Sequence, residues 1–489
     1  MPIASKWMVA IILSVAAINF LTMPAEEYIG DGVAVRIETI GLINTGRWAV
    51  PPVVAQEWGE RGQYFYENAN GAFYPKYGIL NTLIYVPALW FQKIATGNLS
   101  FYSDNTLCLN LLNVVLSCAS AAYLALLARR YTNSHLTISI FVGASLYGTF
   151  WWNYLRAQTF EIYLTLFLLG FYYHFVSALN SDQRHLRNRQ FFLAATYLGS
   201  LCLSRTVFVI LLPVATAFFA FQRWRPQNQR FGDAFVFWWL PLSIFIALLL
   251  ATNWSKFGSP FSSGYTQWSE ESQPFTTNIW PGVLGLIVSK QGSVFLYFPV
   301  LVFALIGWPM FFKSHTREAR FILALVAVLF LVTSAFTNWK GSSCYGPRYL
   351  LPVLPLVCVP FVYFVDWIRH LANNALRWSL RGVLFASLAY SFLLQIGMNS
   401  LPFFFWYDLL TIAEQNPAAS NYLDAQFGTI NFDFIQDELG WSSRFRENFV
   451  NKLDSEQFMK LESLRVETKP NYYWLADCQQ TLLSAPRIY

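Results

Sequence analysis

Three carboxylates follow the first apolar segment of the chain. Glu26, Glu27 and Asp31 come directly after the apolar run 7–24, and a helical apolar stripe begins at Val33. A carboxylate fixed at the start of a helix, at the level of the lipid headgroups, is well placed to act as a general base on a substrate with a lipid tail. The alternative is that Asp31 is the N-cap of that helix and that the other two acids are solvated.

The stretch after Asp31 has the pattern of an amphipathic helix. Val33, Ile37 and Ile40 recur near helical spacing, whereas Arg36 and Glu38 lie off that stripe. This arrangement predicts a helix that lies along the membrane surface with its polar side in water.

Aromatic residues and a lysine stand further along the same segment. Tyr74, Lys76 and Tyr77 precede the apolar run 78–94. An ammonium group at Lys76 can bind an anionic headgroup as a point charge. The alternative is an ordinary interfacial anchor, but the position of Lys76 in the same predicted loop as Asp31 favours binding.

A third set of charges lies at the ends of predicted membrane spans. Arg156 and Glu161 flank one turn, and Arg205 occupies another. Charges in such places are costly unless they are paired or face a water-filled cavity. An Arg156–Glu161 ion pair that joins two helices is therefore one interpretation, and a substrate site that includes Glu161 and Arg205 is the other.

Further cations stand beside glycine, serine or tyrosine: Lys256, Lys290, Lys340 and Arg348. Together with Lys76 and Arg205 they predict a group of cations that could converge on one cavity and bind a phosphate or diphosphate. The alternative is that they are scattered and extend separately to lipid headgroups.

The composition indicates the elements that must position these residues. The chain of 489 residues is 55% hydrophobic, 18% aromatic and only 12% charged, with a mean hydropathy of +0.37. Globular chains carry about 25% charged residues. Apolar runs long enough to cross a bilayer recur along the chain. Its six cysteines show no metal-binding spacing. The composition therefore predicts a polytopic α-helical membrane protein and gives no indication of nucleic-acid binding.

Basic residues in short loops set the orientation, because such loops lie on the cytoplasmic side. Five clusters, around residues 129, 185, 225, 317 and 377, are placed inside. About eleven transmembrane helices then alternate across the membrane. The predicted spans are 7–24, 105–128, 135–154, 161–179, 190–204, 206–222, 233–252, 292–312, 320–337, 349–368 and 380–397.

This orientation leaves a long first outer loop, residues 25–104, and a C-terminal tail outside the membrane. Segment 78–94 is apolar enough to compete as a span, but counting it would place the next basic clusters outside. We therefore predict that it lies at or dips into the outer surface. Residues 1–400 form the predicted transmembrane domain, and residues 401–489 a small extracytoplasmic domain.

The assembled motifs resemble a known family of enzymes. An acid in the first outer loop and an aromatic-Lys-Tyr-Gly entry to the next helix are followed by "LSR", "FGSPFSSGY", "SKQGSVFLYFP" and "YGPRYLLPVLP". That order resembles bacterial GT-C class membrane glycosyltransferases of the protein mannosyltransferase and lipid A aminoarabinose transferase group. The resemblance covers roughly residues 7–400 and leaves the C-terminal tail out. It implies a GT-C-like bundle, all α-helical, with surface helices in the first outer loop.

The resemblance also implies an activity and a set of site residues. The activity is transfer of a sugar from a polyprenyl-phosphate donor to a lipid, glycan or protein acceptor of the cell envelope. It would take place at the outer face of a bacterial inner membrane. Asp31 matches the general base, with Glu26 or Glu27 as possible substitutes, since Gly32 stands where many members have a second acid. The residues that match the donor-binding positions of the family are Lys76, Tyr77, Arg205, Lys340 and Arg348. No cofactor is implied with certainty, and a divalent metal held by the acids stays an open alternative.

Two other classes of function fit part of the pattern. A transporter or flippase for a lipid-linked or anionic solute would also need cations that face a cavity, but it would carry polar groups near the bilayer midplane and internal repeats. The predicted polar groups instead gather at the outer ends of helices. A subunit without chemistry of its own would keep full activity with Asp31 replaced by Asn.

Overall fold

A computed structural model describes most of the chain, which folds almost entirely into helices. The described residues are 2–24, 30–59, 64–101, 106–223, 232–264, 275, 278–289, 292–339, 341, 345–400 and 450–467. Glu26, Glu27, Lys290, Lys340 and nearly all of the predicted C-terminal domain lie outside the described residues.

The first part of the fold consists of four helices and a small hairpin. They are α1 (Pro2–Leu21), α2 (Gly30–Thr45), α3 (Pro52–Gly59), strands β1 (Phe65–Glu67) and β2 (Phe73–Pro75), and α4 (Ile79–Thr96). The strands pair antiparallel, with Phe65 opposite Pro75. The hairpin therefore delivers Lys76 and Tyr77 to the start of α4.

The second part is a bundle of helices. It contains α5 (Leu107–Arg129), α6 (His135–Tyr147), α7 (Trp151–Arg156), α8 (Glu161–Leu179), α9 (Arg184–Ser204), a 3₁₀ helix (Thr206–Ile210), α10 (Leu211–Arg223) and α11 (Gly232–Phe257). It continues with α12 (Trp280–Val288), α13 (Val294–Tyr297), α14 (Val300–Ser314), α15 (Thr316–Ala335), a 3₁₀ helix (Arg348–Leu350), α16 (Leu354–Val357), α17 (Phe361–His370) and α18 (Asn374–Ser400). After the gap, a 3₁₀ turn (Val450–Lys452) and α19 (Ser455–Glu467) are described.

Within the described residues, five helices are long and apolar enough to cross a membrane: α5, α8, α15 and most of α11 and α18. Four further apolar helices of 10–17 residues lie at Lys6–Leu21, His135–Tyr147, Thr206–Phe221 and Val300–Ser314. The chain is therefore an integral membrane protein, as its composition predicts. The number of eleven spans stays a prediction.

Three of the predicted spans are divided into shorter helices and are not single continuous ones. The segment 135–154 breaks at Gly148, which ends α6. The segment 292–312 breaks before Pro299, which precedes α14. The segment 349–368 divides into short helices because prolines, which cannot donate a backbone hydrogen bond, recur along it.

Helix α2 differs from the predicted amphipathic surface helix. All residues from Gly32 to Gly41 are buried, including Arg36 and Glu38. The polar side of this helix faces protein, where Glu38 has buried hydrogen-bond partners. Glu38 accepts hydrogen bonds from the Lys256 ammonium at the end of α11 and from the Thr82 hydroxyl on α4. The prediction of a water-facing polar side is therefore wrong.

Helix α4 buries polar residues and exposes apolar ones. The amide of Asn81 donates to the Ser204 carbonyl at 3.0 Å and accepts from the Tyr163 hydroxyl at 2.9 Å. On the opposite side, Phe91 is 62% exposed and Ile94 is 69% exposed. An outward apolar side on such a helix suits contact with lipid, and the position of segment 78–94 at the outer surface stays a prediction.

The Glu38–Lys256 pair is expected to hold α2 in the bundle. Both side chains are at most 5% exposed, so Glu38→Gln leaves a buried ammonium beside a neutral amide, at a cost of about 3–5 kcal/mol. We expect a clearly lower thermal unfolding midpoint of the detergent-solubilised protein, followed by tryptophan fluorescence. The double variant Glu38→Gln/Lys256→Met should recover much of the loss.

The Asp366–Arg369 pair provides the control. Its side chains are 28% and 35% exposed, and exposed pairs contribute at most about 1 kcal/mol. Asp366→Asn should therefore lower the midpoint far less than Glu38→Gln. An unchanged midpoint in Glu38→Gln would show that the buried pair does not hold α2.

Candidate functional site

Asp31 lies in the first turn of α2, and its side chain contacts residues of two distant segments of the chain. The helix begins at Gly30, so Asp31 is not its N-cap, and the prediction of that capping role is wrong. Its carboxylate accepts a hydrogen bond from the Tyr77 hydroxyl and another from Arg348 Nη1 at 3.1 Å. The side chain of Asp31 is 13% exposed and that of Arg348 is 8% exposed. The carboxylate is thus fixed by a phenol and a guanidinium, both from residues predicted for the site.

Three cations act on the Asp31 carboxylate. Burial raises its pKa, but Arg348, Lys76, the Tyr77 hydrogen bond and Arg205 together lower the pKa below its ordinary value. The group is therefore an anion at neutral pH. Of the predicted cations, the structure thus brings Lys76, Arg205 and Arg348 together around Asp31.

Tyr349 organises the two arginines. The guanidinium carbon of Arg205 lies 4.6 Å from the centre of the Tyr349 ring, and that of Arg348 lies 5.1 Å from it. A guanidinium against an aromatic face is held by cation–π attraction. Tyr349 is not among the residues predicted for the site, although an aromatic residue directly after a candidate arginine is a signal that could have identified it.

Lys76 lies between aromatic rings beside this group. Its Nζ is 5.6 Å from the centre of the Tyr77 ring and 6.0 Å from that of Tyr64. Burial lowers the pKa of the Lys76 ammonium, Asp31 raises it, and the two arginines lower it, with a result of about 8. Lys76 is therefore a cation at neutral pH that titrates close to the physiological range.

Two glycines let distant segments approach this site. A Cβ on Gly32 would lie 1.8 Å from the Gln158 carbonyl oxygen, and a Cβ on Gly264 would lie 2.1 Å from the Cα of Lys76. Any larger residue at either position would push a backbone away. Gly32 directly follows Asp31, at the position where many members of the family that the motifs resemble have a second acid. Because it has no side chain, α2 can pack closely against the backbone of Gln158.

Glu161 is the first residue of α8 and is 1% exposed. Arg205 Nη1 lies 3.9 Å from its Oε1. The alternative Arg156–Glu161 ion pair does not form. Arg156 instead donates to the carbonyl of Thr22, which follows α1. It also donates to the carbonyl of Asn399, at the end of α18, over a distance of 2.6 Å. Arg156 therefore joins three elements, and Glu161 belongs with Arg205.

A cavity of about 260 Å³ opens beside these residues. Glu161, Arg205, Arg348 and Tyr349 contribute to its polar end. Its other walls are mainly apolar: Leu164, Val207, Phe208, Phe275, Leu329, Val332, Phe336 and Pro352. An anionic group with an apolar chain matches this combination of two guanidinium groups and an apolar wall.

Of the other predicted residues that the structure describes, Lys256 does not join this group. Lys256 is paired with Glu38. Lys340, Lys290, Glu26 and Glu27 lie outside the described residues. Among the residues that the structure describes, no three His, Cys, Asp or Glu side chains are grouped as metal ligands would be, and the question of a divalent metal stays open.

Comparison with known proteins identifies the fold. No protein-family model and no curated protein sequence matches the chain. Among solved structures, it is similar to ArnT from Cupriavidus metallidurans bound to undecaprenyl phosphate, with a TM-score of 0.52, 13% identity, and coverage of 87% of this chain and 70% of ArnT. The same protein in its apo state gives a TM-score of 0.53 at 12% identity, again over 87% of this chain and 70% of ArnT.

A second similar structure comes from an archaeon. It is the oligosaccharyltransferase AglB of Archaeoglobus fulgidus, in complex with an inhibitory peptide and a dolichol-phosphate. The TM-score is 0.52 at 12% identity, over 90% of this chain and 62% of AglB. Both proteins are GT-C glycosyltransferases. The resemblance predicted from the motifs is thus confirmed at the level of the fold: the described chain has the fold of GT-C membrane glycosyltransferases.

Proposed function

We propose that this protein is a glycosyltransferase that moves a sugar from a polyprenyl-phosphate donor to a lipid, glycan or protein acceptor of the envelope. The reaction takes place at the outer face of a bacterial inner membrane, and Asp31 is the general base. The observation that carries the proposal is an ionised carboxylate held by Arg348, next to Arg205, at the polar end of an apolar cavity.

The cations and the cavity fit the two chemical halves of such a donor. Arg205 and Arg348 bind the phosphate, and Lys76 and Tyr77 complete the site from the opposite segment. Fixed guanidinium groups suit phosphate oxygens because they present several N–H donors in a planar fork. The first units of the polyprenyl chain occupy the apolar part of the cavity. The lipid phosphates in the two similar structures, undecaprenyl phosphate and dolichol-phosphate, support this class of ligand.

The reaction is a single displacement at the anomeric carbon of the sugar. The acceptor hydroxyl attacks that carbon while its proton passes to the Asp31 carboxylate. The bond between the anomeric carbon and the phosphate oxygen breaks, and polyprenyl phosphate leaves. Negative charge develops on the phosphate, where Arg205 and Arg348 stabilise it. A displacement with inversion needs only this one carboxylate, and the sequence identifies no nucleophile for a retaining route.

Binding of the donor changes the strength of the base. In the structure Arg348 donates to Asp31, which keeps the pKa of the carboxyl low. A phosphate that takes hydrogen bonds from Arg348 weakens this interaction and brings a second negative charge close to Asp31. Both effects raise the proton affinity of the carboxylate. Asp31 thus becomes a stronger base when the donor is in place.

The first test measures transfer in proteoliposomes from a panel of polyprenyl-phosphate sugars to membrane lipids and glycans. Arg205→Gln and Arg348→Gln each remove hydrogen bonds to a charged phosphate, worth about 1.5–3 kcal/mol. We expect the donor KM to rise about 10- to 100-fold in each variant.

Arg381→Gln is the matched control, since Arg381 also lies over an aromatic ring, 5.1 Å from the centre of Trp378, but outside the site. Its donor KM should equal that of the wild type. If labelled lipid crosses the bilayer without sugar transfer from any donor, the protein is a transporter and the proposal is wrong.

The pH dependence of donor binding provides a second test, because the pKa of Lys76 is about 8. Below that pH the ammonium is charged and attracts the phosphate, and above it the charge is lost. The value of kcat/KM for the donor, which reports the free enzyme, should therefore fall about tenfold between pH 7 and pH 9.

Lys76→Arg tests the assignment of that titration, because a guanidinium stays charged over this range. The fall in kcat/KM should move out of the measured range in this variant. A fall that is the same in wild type and Lys76→Arg would assign the titration to another group.

A further inference from the structure

We propose that Glu161 reads the donor sugar by accepting hydrogen bonds from two neighbouring hydroxyl groups, and that the donor is therefore a sugar with a vicinal diol. This inference rests on the proposed function and names the substrate feature that the site selects.

The carboxylate of Glu161 is buried without hydrogen bonds of its own. Within the described part of the chain, neither Oε1 nor Oε2 of Glu161 has a hydrogen-bond partner, and the residue is 1% exposed. The Arg205 guanidinium, at 3.9 Å, supplies charge but lies beyond hydrogen-bond distance. A buried acceptor that lacks a donor is costly, so such a group calls for a ligand.

Two other acids nearby show what a satisfied carboxylate looks like in this protein. Glu38 accepts from Lys256 and from Thr82, one partner for each oxygen. Asp31 accepts from Tyr77 and Arg348, again one for each oxygen. Glu161 differs from both, and it is the acid that lines the cavity.

The chemistry of the donor identifies the partner. A polyprenyl chain has no hydrogen-bond donor, and a phosphodiester ionised at neutral pH has none either. The groups of the donor that can satisfy Glu161 are then on the sugar, and hydroxyls are the hydrogen-bond donors that every sugar carries. Its two oxygens lie side by side, as do the hydroxyls on adjacent ring carbons, so one carboxylate can accept from both.

The position of Glu161 agrees with contact to the sugar. Arg205 lies next to Glu161 and also acts on Asp31. The sugar attached to a phosphate bound by Arg205 would therefore lie within reach of both Asp31 and Glu161. Leu164, one turn further along α8, already belongs to the apolar part of the cavity, so Glu161 marks the boundary between sugar and lipid.

The experiment couples a change in the protein to a change in the donor. A polyprenyl-phosphate sugar that the wild type turns over is compared with its monodeoxy analogues, each with one hydroxyl replaced by hydrogen. We expect two adjacent deoxy positions to lower kcat/KM about 10- to 100-fold in wild type, as for hydrogen bonds to a charged group. In Glu161→Ala the parent donor should already show this loss, and deoxygenation at those two positions should change kcat/KM little further.

Glu161→Gln and an exposed acid serve as controls. Glu161→Gln keeps the shape of the side chain and one acceptor oxygen, so kcat/KM in this variant should still fall when one of the two hydroxyls is removed. This variant provides the test if Glu161→Ala fails to fold. Glu57→Gln removes an exposed acid and should leave the whole deoxy series as in wild type. A readout on substrate hydroxyls separates sugar contact from a structural role, which would lower kcat/KM for every analogue alike.

The outcomes distinguish this inference from the proposed function. Transfer with deoxy effects that are the same in wild type, Glu161→Gln and Glu161→Ala would overturn the role of Glu161 and leave the glycosyltransferase in place. Absence of transfer from every polyprenyl-phosphate sugar by the wild type would overturn the proposed function and this inference with it.

Discussion

The ion pair between Asp31 and Arg348 is the interaction on which the arrangement of the site depends. It joins two residues that are 317 positions apart in sequence, at 3.1 Å and largely out of water. Removing two charges from water costs several kcal/mol for each ion, and such a pair is maintained only if further contacts satisfy both groups. Tyr77 supplies one such contact to the carboxylate, and the Tyr349 ring supplies one to the guanidinium. The first segment after α1 and the segment after α15 are thereby fixed to each other.

The surrounding structure keeps this pair in place. Glu38, two turns after Asp31 on the same helix, is tied to α4 and to the end of α11. Gly32 allows α2 to lie against the backbone of Gln158. A helix fixed at both points has little freedom to move its first turn. For the proposed reaction, such preorganisation matters because charges that are already positioned need not reorganise when the phosphate leaves.

The sequence predicts the candidate site better than it predicts the local structure around it. Charges near the ends of apolar segments are costly unless they are paired or face a water-filled cavity. This rule selects Asp31, Lys76, Arg205 and Arg348 from the sequence. The environment of α2 could not be predicted, since a polar stripe gives the same pattern whether it faces water or buried partners. The partner of Glu38 is 218 residues away, and no local periodicity identifies such a pair. The place of Tyr349 directly after Arg348 is visible in the sequence, but its contact with Arg205 is not, because that arginine comes from a distant segment.

Single-turnover sugar transfer by Asp31→Asn, measured together with the affinity of this variant for the donor, tests whether Asp31 is the base. We expect the donor to bind at least as tightly as in wild type, because Arg348 is released from its carboxylate partner. We also expect the rate of transfer to fall by about 10²–10⁴, the usual contribution of a general base. Transfer at the wild-type rate in Asp31→Asn would contradict the assignment of Asp31 as the base.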